Sequence, residues 1–564
     1  MKAITESARR SRLWLRQQGL AVRPWLYAAV AAGLLQALAV IAQMGLIAGL
    51  VHSLLIEQIP LSSLVLPSAG LVLAVLVRAL AQAAQERCGQ CASVQVRQSA
   101  REQLALSWAA LGPVRLADRS SAALSNQWVE QVEALDGYYA RYLPQQWLAL
   151  LSPMMILLLV FWLDWLAALF LLLAAPLIPL FMALIGMSAE KVSQQHVLEA
   201  GRLAGHFLDR VRSLTSLQLF GQVGAATRSV QEAAEHYRAI TMRTLRIAFL
   251  SSAVLEFFAS VAIAVVAMYI GFGLLGYITY GPSGQLTLFS GLLILLLAPE
   301  FFQPLRSLAQ SYHDRAAALA AADGIAALHG EAAAVGHPDA PGLVMGDEAG
   351  GETSISIRGL GLAYPGRGQV LSDISLHIPR GQVVALTGPS GSGKSSLLHC
   401  LAGFVLPHSG SLSLFGRLPG EQPLAWLGQR PFLIQGSWAD NLRLTAPQAS
   451  AAEMLHALEV VGLAPLLATQ SSGLDTLLGE GGRGLSGGQA QRLALARVWL
   501  SAADIVLLDE PTASLDERSE GEVIEALRGL ANSGKTLVIA THHPALMALA
   551  EHCYVLNQGR LADA

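Results

Sequence analysis

The sequence predicts a membrane α-helical domain of six transmembrane helices fused to an α/β P-loop domain. Three observations predict it. Three long stretches carry no Lys or Arg, a phosphate-loop string follows a buried-strand run, and a Gly- and Pro-rich change of composition separates the two. At 564 residues the chain has room for several domains. Hydrophobic residues make up 53% and charged residues 14%, against ~25% charged in ordinary soluble proteins. A net charge of −3 gives no basic footprint, so no nucleic-acid partner is expected. Four cysteines exclude a disulfide scaffold.

The N-terminus carries Arg9, Arg10, Arg12, Arg16 and Arg23 ahead of the first apolar run. A signal peptide would look similar at first, but Trp25 to Leu50 is longer than its apolar core and lacks a convincing cleavage site. It reads as a retained anchor. Lys and Arg are then missing between Arg23 and Arg78, between Arg141 and Lys191, and between Arg246 and Arg306. Each gap holds two helices of ~20 residues, the length that crosses a bilayer. The expected spans are approximately 26–50, 62–84, 143–162, 166–187, 248–275 and 286–305. Their outer turns hold Glu57 to Pro60, Asp164, and Gly276 to Gly284, with no positive charge. Arg-rich connections lie between the hairpins, so the positive-inside rule places them and both ends of the unit in the cytoplasm. Those connections are helical in pattern, and their tips near 115–130 and 210–222 are expected to touch the soluble domain. No Arg or Lys is read as lying inside a span, so groups that hold an anion are expected from span ends or from a partner. Boundaries follow: a transmembrane domain over 1–325, a Gly/Ala/Pro linker over 326–352, and a second domain over 353–564.

The second domain alternates strand-like and helical runs, the pattern of a buried parallel sheet. Val383-Val384-Ala385-Leu386 is a buried-strand run feeding Gly388-Pro389-Ser390-Gly391-Ser392-Gly393-Lys394-Ser395, with Ser396 opening a helix. This strand–loop–helix context suits a loop whose amides wrap nucleotide phosphates. Lys394 offers a point charge to the β- and γ-phosphates, and the Ser395 hydroxyl is a Mg2+ ligand. Ile505-Val506-Leu507-Leu508 ends in Asp509 and Glu510. Asp509 can hold the metal and Glu510 can polarise the attacking water. Leu485-Ser486-Gly487-Gly488-Gln489 opens another helix on a glycine pair, a second half of a phosphate clamp.

In these strings the chain resembles the ATP-binding cassette family. The resemblance implies that Tyr364 stacks on adenine and that Gln429 touches Mg2+. It implies that Ser486, Gly487 and Gly488 meet the γ-phosphate held by an opposite cassette. Gly479-Glu480-Gly481 is similar to the stretch that meets membrane-domain loops in exporters. Asp516 belongs to the D-loop string Ser514-Leu515-Asp516, and His542 is the histidine that contacts the γ-phosphate, while His543 is given no role. The implied activity is ATP hydrolysis driving a nucleotide-gated cassette pair and, through it, alternating access of the membrane helices.

Six spans ahead of one cassette resemble an exporter-type half-transporter. Tyr138 to Pro144, Ala175 to Leu184, Gly205 to Arg210, Leu250 to Phe258, and Ala298 to Arg306 are similar to the D-subunit family of bacterial thiol-reductant exporters needed for cytochrome bd assembly. That resemblance implies a heterodimer with a homologous C-type half-transporter subunit in the bacterial inner membrane. It also implies export of glutathione or L-cysteine to the periplasm, with haem as an alternative cargo or ligand that no residue here is assigned to hold. A regulatory ATPase without transport is the other alternative. Glu256 and Glu300 are ionisable groups in apolar spans, functional by default, although pairing with Arg246 or Arg306 would make them structural. Cys88-Gly89-Gln90-Cys91 reads as small residues on a helix face rather than a redox pair.

Overall fold

The structure is a computed structural model that describes residues 2–117, 119, 121–176, 199, 202–203, 205–278, 280–335, 353–364, 368–479, 482–513 and 515–562. Two compact units divide the chain: Met1–Trp108 with Arg119–Ala333, and Ala109–Asp118 with Ala334–Ala564.

Among the described residues five helices are long and apolar enough to cross a membrane: Arg23–Leu55, Val65–Ala117, Tyr138–Leu163, Glu256–Leu274 and Leu288–Ala333. Five of the six expected spans fall on them. The expected fourth span starts on the shorter apolar helix Trp165–Ala174, and its part over 177–187 lies outside the described residues. The outer turn at Asp164 is more than a polar bend. Asp164 is 1% exposed, and its Oδ1 accepts from the amides of Leu166 at 2.9 Å and Ala167 at 3.0 Å. The Tyr269 hydroxyl donates to Oδ2 at 2.9 Å. One buried carboxylate therefore caps a helix and ties it to a neighbour.

Two expectations about the first unit need correction, and one feature was not foreseen. The Arg-rich N-terminus is itself a helix, Lys2–Ala21, with Trp14 and Leu15 buried and Arg9, Arg10, Arg12 and Arg16 outward. Tyr139 fixes it by donating its hydroxyl to the Leu15 carbonyl at 2.8 Å. The last helix, Leu288–Val335, runs ten residues into the expected linker. Ala and Leu, strong helix formers, dominate there, and Ile325 and Leu328 are each 1% exposed. Finally, Arg78 stands within the expected second span, so a basic group is present where none was read.

Of the two acids in the spans, Glu256 pairs with Arg306 at 3.3 Å. Glu300 has no basic side chain at ion-pair distance among the described residues. The thiols of Cys88 and Cys91 are free. Between them Gly89 lies so near the Ala140 carbonyl oxygen that a Cβ would sit 2.4 Å from it. Close helix packing accounts for these small residues.

The second unit is built on a six-stranded sheet and a three-stranded antiparallel one. Its strands are β1 Ser354–Tyr364, β2 Gly368–Pro379, β3 Val383–Thr387, β4 Ser409–Leu414, β5 Leu424–Leu427, β6 Gly436–Ser437, β7 Leu477–Leu478, β8 Ile505–Asp509, β9 Thr536–Ala540, β10 His552–Asn557 and β11 Arg560–Ala562. The large sheet has the order β11-β10-β3-β9-β8-β5. Strands β10, β3, β9, β8 and β5 run parallel. β3, β8 and β9 are buried along their whole length, as strands covered on both faces must be. Segment Ala109–Asp118 belongs to this unit. There the chain breaks its helix at Gly112, φ 71°, before Pro113, and Val114 packs against the apolar cluster containing Leu397 and Leu401.

Candidate active site

Four parallel strands that neighbour one another deliver their carboxyl ends to one edge of the sheet. β3 runs into the phosphate loop, β9 into Thr541 and His542, β8 into Asp509 and Glu510, and β5 into Gly428 and Gln429. In open α/β sheets this is the edge where ligands bind.

The loop from Gly388 to Gly393 leads into the helix Lys394–Leu401. Gly388 has φ 134°, and a Cβ there would lie 2.1 Å from the Leu556 carbonyl oxygen; only glycine fits. Pro389, Ser390 and Gly391 form the exposed rim of the loop. Lys394 is 7% exposed, and its Nζ donates to the carbonyls of Gly388 at 2.7 Å and Pro389 at 3.0 Å. The ammonium thus stays inside the loop's curve. Among the described residues the buried Ser392 hydroxyl has no hydrogen-bond partner, an orphan that a phosphate oxygen would satisfy. Ser396 is half-buried on the first turn beside exposed Ser395. Further along that helix Cys400 is fully buried, and burial pushes its thiol up to about 12.

Ser395 stands beside Asp509. Burial raises the Asp509 carboxyl above its usual value, the Glu510 charge adds to the rise, and Ser395 and Lys394 oppose it. A buried carboxylate beside a hydroxyl is a hard oxygen donor set, and with phosphate oxygens it fits Mg2+. Gln429, Glu510 and His542 come together as a cluster. Gln429 Nε2 donates to Glu510 Oε2 at 3.2 Å, and His542 Nδ1 stands 3.7 Å from Glu510 Oε1. Glu510 has φ 48°, in the left-handed region, and its amide donates to Ala540 O at 2.9 Å. That backbone aims the carboxylate off the strand end, a feature the bare string Asp509-Glu510 did not reveal. The Thr541 hydroxyl accepts from the His543 amide at 3.0 Å. His543 instead accepts from Ala545 N at 3.3 Å and pairs with Glu520, which gives it a structural post.

Leu485 precedes the helix Gly487–Leu500, whose N-cap is Ser486. The Gln489 amide donates to Ser486 Oγ at 3.3 Å, and the Ser486 amide to Gln489 Oε1 at 2.8 Å. This capping box occupies the Gln489 side chain within its own helix. Ser486 and Gly487 are exposed, and a Cβ on Gly487 would meet nothing within 4 Å. The helix start is therefore open to an approaching anion. Leu515 lies against Gly488, 3.0 Å from where its Cβ would be, so the D-loop string touches the string Leu485 to Gln489. Asp516 caps the helix Glu517–Asn532, accepting from Ser519 N at 3.3 Å. Tyr364, half-buried at the end of β1, packs on the apolar cluster of the smaller sheet. Of the remaining predicted strings, Ser514 and Glu480-Gly481 lie outside the described residues.

Comparison with known proteins covers both halves. A family described as ABC transporter matches residues 371–513, and one described as ABC transporter transmembrane region matches residues 26–298. The chain is 38% identical over 558 residues to the glutathione/L-cysteine transport system ATP-binding/permease protein CydD of Escherichia coli (strain K12), covering 98% of this chain and 94% of that one. It is 39% identical over 559 residues to the transport ATP-binding protein AarD of Providencia stuartii, covering 97% and 94%. A glutathione/L-cysteine transport system ATP-binding/permease protein CydC of Bacillus subtilis (strain 168) is 32% identical over 470 residues, covering 80% and 78%.

Proposed function

The chain belongs to the ATP-binding cassette transporters, as an exporter with fused membrane and ATPase regions, and from that premise we propose that it is one half of a heterodimeric exporter of reduced thiols. Its cargo is glutathione and L-cysteine, moved from cytoplasm to periplasm across the bacterial inner membrane in support of cytochrome bd assembly. One observation carries the cargo: similarity to proteins named for glutathione/L-cysteine transport runs through 98% of the chain, membrane half included. The partner is a C-type subunit, the kind of protein that the Bacillus subtilis relative is named as.

ATP hydrolysis is coupled to transport, and we assign the steps as follows. The amides of Gly388 to Ser396 and the Lys394 ammonium hold the phosphates, while Tyr364 meets the base. Ser395, Asp509 and Gln429 hold Mg2+, which when bound neutralises phosphate charge. Glu510 takes a proton from the attacking water, with Gln429 and His542 fixing its carboxylate and His542 reaching the γ-phosphate. Leu485 to Gln489, with Asp516 behind it, presents an open helix start to the nucleotide held by the partner. ATP between two such surfaces stabilises the closed pair, and hydrolysis removes that stabilisation. The exposed apolar tip at Leu219 and Phe220 (80% and 78% exposed) suits a contact with the partner's cassette.

Inside-out vesicles containing the partner-paired complex test the reading. ATP-dependent uptake of labelled glutathione or cysteine is expected. Uptake of haem instead, or ATP turnover without uptake of any of the three, would overturn it.

A further inference from the structure

The membrane unit contains a cavity of about 400 Å³ that opens among four of its helices, within the size range of small-molecule sites, ~300–1,000 Å³. Its wall is unusually polar for apolar spans. Gln36, Gln82, Gln85, Gln145 and Gln303 supply amides, and the charged groups are Arg78, Glu86 and Glu300, with Glu86 accepting from Gln82 Nε2 at 3.1 Å. Counting from the outer helix starts at Val65 and Leu288, Arg78 and Glu300 both lie about 20 Å along their helices at 1.5 Å per residue. Arg78 donates to Gln43 Oε1 at 3.2 Å, and among the described residues no carboxylate reaches it at ion-pair distance. Glu300 is likewise unpaired, while its neighbour in the spans, Glu256, is already bound to Arg306.

Charge in a span is costly and is ordinarily compensated. Here one guanidinium and two carboxylates line one cavity, and among the described residues Glu300 is the carboxylate that no side chain hydrogen-bonds or pairs with. We propose that this cavity binds the α-amino-acid end of the cargo, its carboxylate on Arg78 and its ammonium on Glu300. A zwitterion carries both countercharges on one carbon and replaces both missing partners at once. Planar guanidinium geometry favours a bidentate carboxylate, and the glutamine amides suit peptide groups. The described lining holds no His, Cys, Met or Tyr, so a haem iron would find no side-chain ligand in it. The inference rests on the thiol-export reading and locates its cargo site.

The partner-paired complex in lipid nanodiscs is titrated with glutathione, N-acetylated glutathione, glutathione diester, and haem. The unmutated complex should bind glutathione roughly tenfold more tightly than either blocked form. Glu300→Gln should abolish the preference for the free amine while keeping that for the free carboxylate. Arg78→Gln should do the reverse, and Arg78→Lys should restore part of the carboxylate preference. These are ratios within one preparation, so a lower yield of folded variant does not mimic them. Unchanged ratios in both glutamine variants, in a complex that still exports glutathione, would overturn the site alone. Failure of the unmutated complex to bind or export glutathione and cysteine would overturn the thiol reading and the site with it. Haem binding that is lost in Arg78→Gln would overturn the ligand class.

Discussion

Glu510→Gln separates chemistry from architecture at the ATP site. The replacement keeps the side chain's shape, and its amide oxygen can still accept from Gln429 Nε2, now at 3.2 Å from a carboxylate oxygen. The left-handed backbone at φ 48° is carried equally by either residue, so thermal stability should not move. What disappears is the base. General-base catalysis contributes ~10²–10⁴ in rate, equivalent to ~2.7–5.5 kcal/mol of barrier at ~1.36 kcal/mol per tenfold. ATP turnover by the reconstituted, partner-paired complex should fall by that factor, and labelled ATP should remain trapped after a spin column. Turnover within a few-fold of the unmutated complex would refute the role given to Glu510. Loss of ATP binding would equally refute it, because the carboxylate would then be holding the nucleotide rather than activating water.

Ser486→Ala removes an N-cap worth about 1 kcal/mol and should lower both unfolding temperature and ATP turnover. Ser486→Asp restores the cap but places a negative charge at the helix start, so it should recover stability and leave turnover low. Recovery of both would assign Ser486 to the fold alone. Asp164→Ala removes the cap of helix Trp165–Ala174 and strands the Tyr269 hydroxyl, which together should cost about 2–4 kcal/mol. A cycle with Tyr269→Phe, followed by thermal unfolding in nanodiscs, should show strong non-additivity. The carboxyls of Asp440, Glu453 and Asp516 are held below their usual values, first by the Ser437 backbone, the Ser450 backbone and the Ser519 side chain respectively. Groups lowered in this way stabilise the fold while ionised. The contribution is whole above about pH 4, the ordinary carboxyl value, and is lost as pH falls through the lowered values. Melting temperature from pH 6 to pH 3, in the wild type and in Asp440→Asn/Glu453→Gln/Asp516→Asn, should show the variant's decline to be shallower.

The parts of the chain that could be read directly were those where chemistry dictates residue type locally. Val383 to Leu386 and Ile505 to Leu508 are apolar because strands covered on both faces must be, and the loop after β3 has glycine where a side chain would strike Leu556. Helices over five of the expected spans follow from unbroken apolar runs. Features made by distant partners were harder to see. Arg9 to Arg16 looked like a flanking charge cluster, whereas Trp14 and Leu15 bury one face of a helix against Tyr139. The Gly/Ala/Pro composition over 326–352 suggested a linker, although Ile325 and Leu328 find a core only once the fold is formed. Arg78 closed a charge-free gap in the sequence and was counted as its edge, while the helix carries it into the wall of the polar cavity. Asp164 and Asp516 show a further limit, since a carboxylate in a turn reads the same whether it faces water or caps a helix.

Cys400 sits one turn and a half beyond Ser395 on the helix that receives the phosphate loop. Thiol–disulfide exchange proceeds through the thiolate, and burial that pushes the Cys400 thiol up to about 12 keeps the thiolate scarce at neutral pH. Glutathione disulfide and cystine therefore find no ready nucleophile on the helix behind the phosphate loop. Half-exposed Cys88, Cys91 and Cys553, the last on β10 of the same unit, offer the more accessible thiols, so disulfide stress would mark them ahead of the helix that receives the phosphate loop.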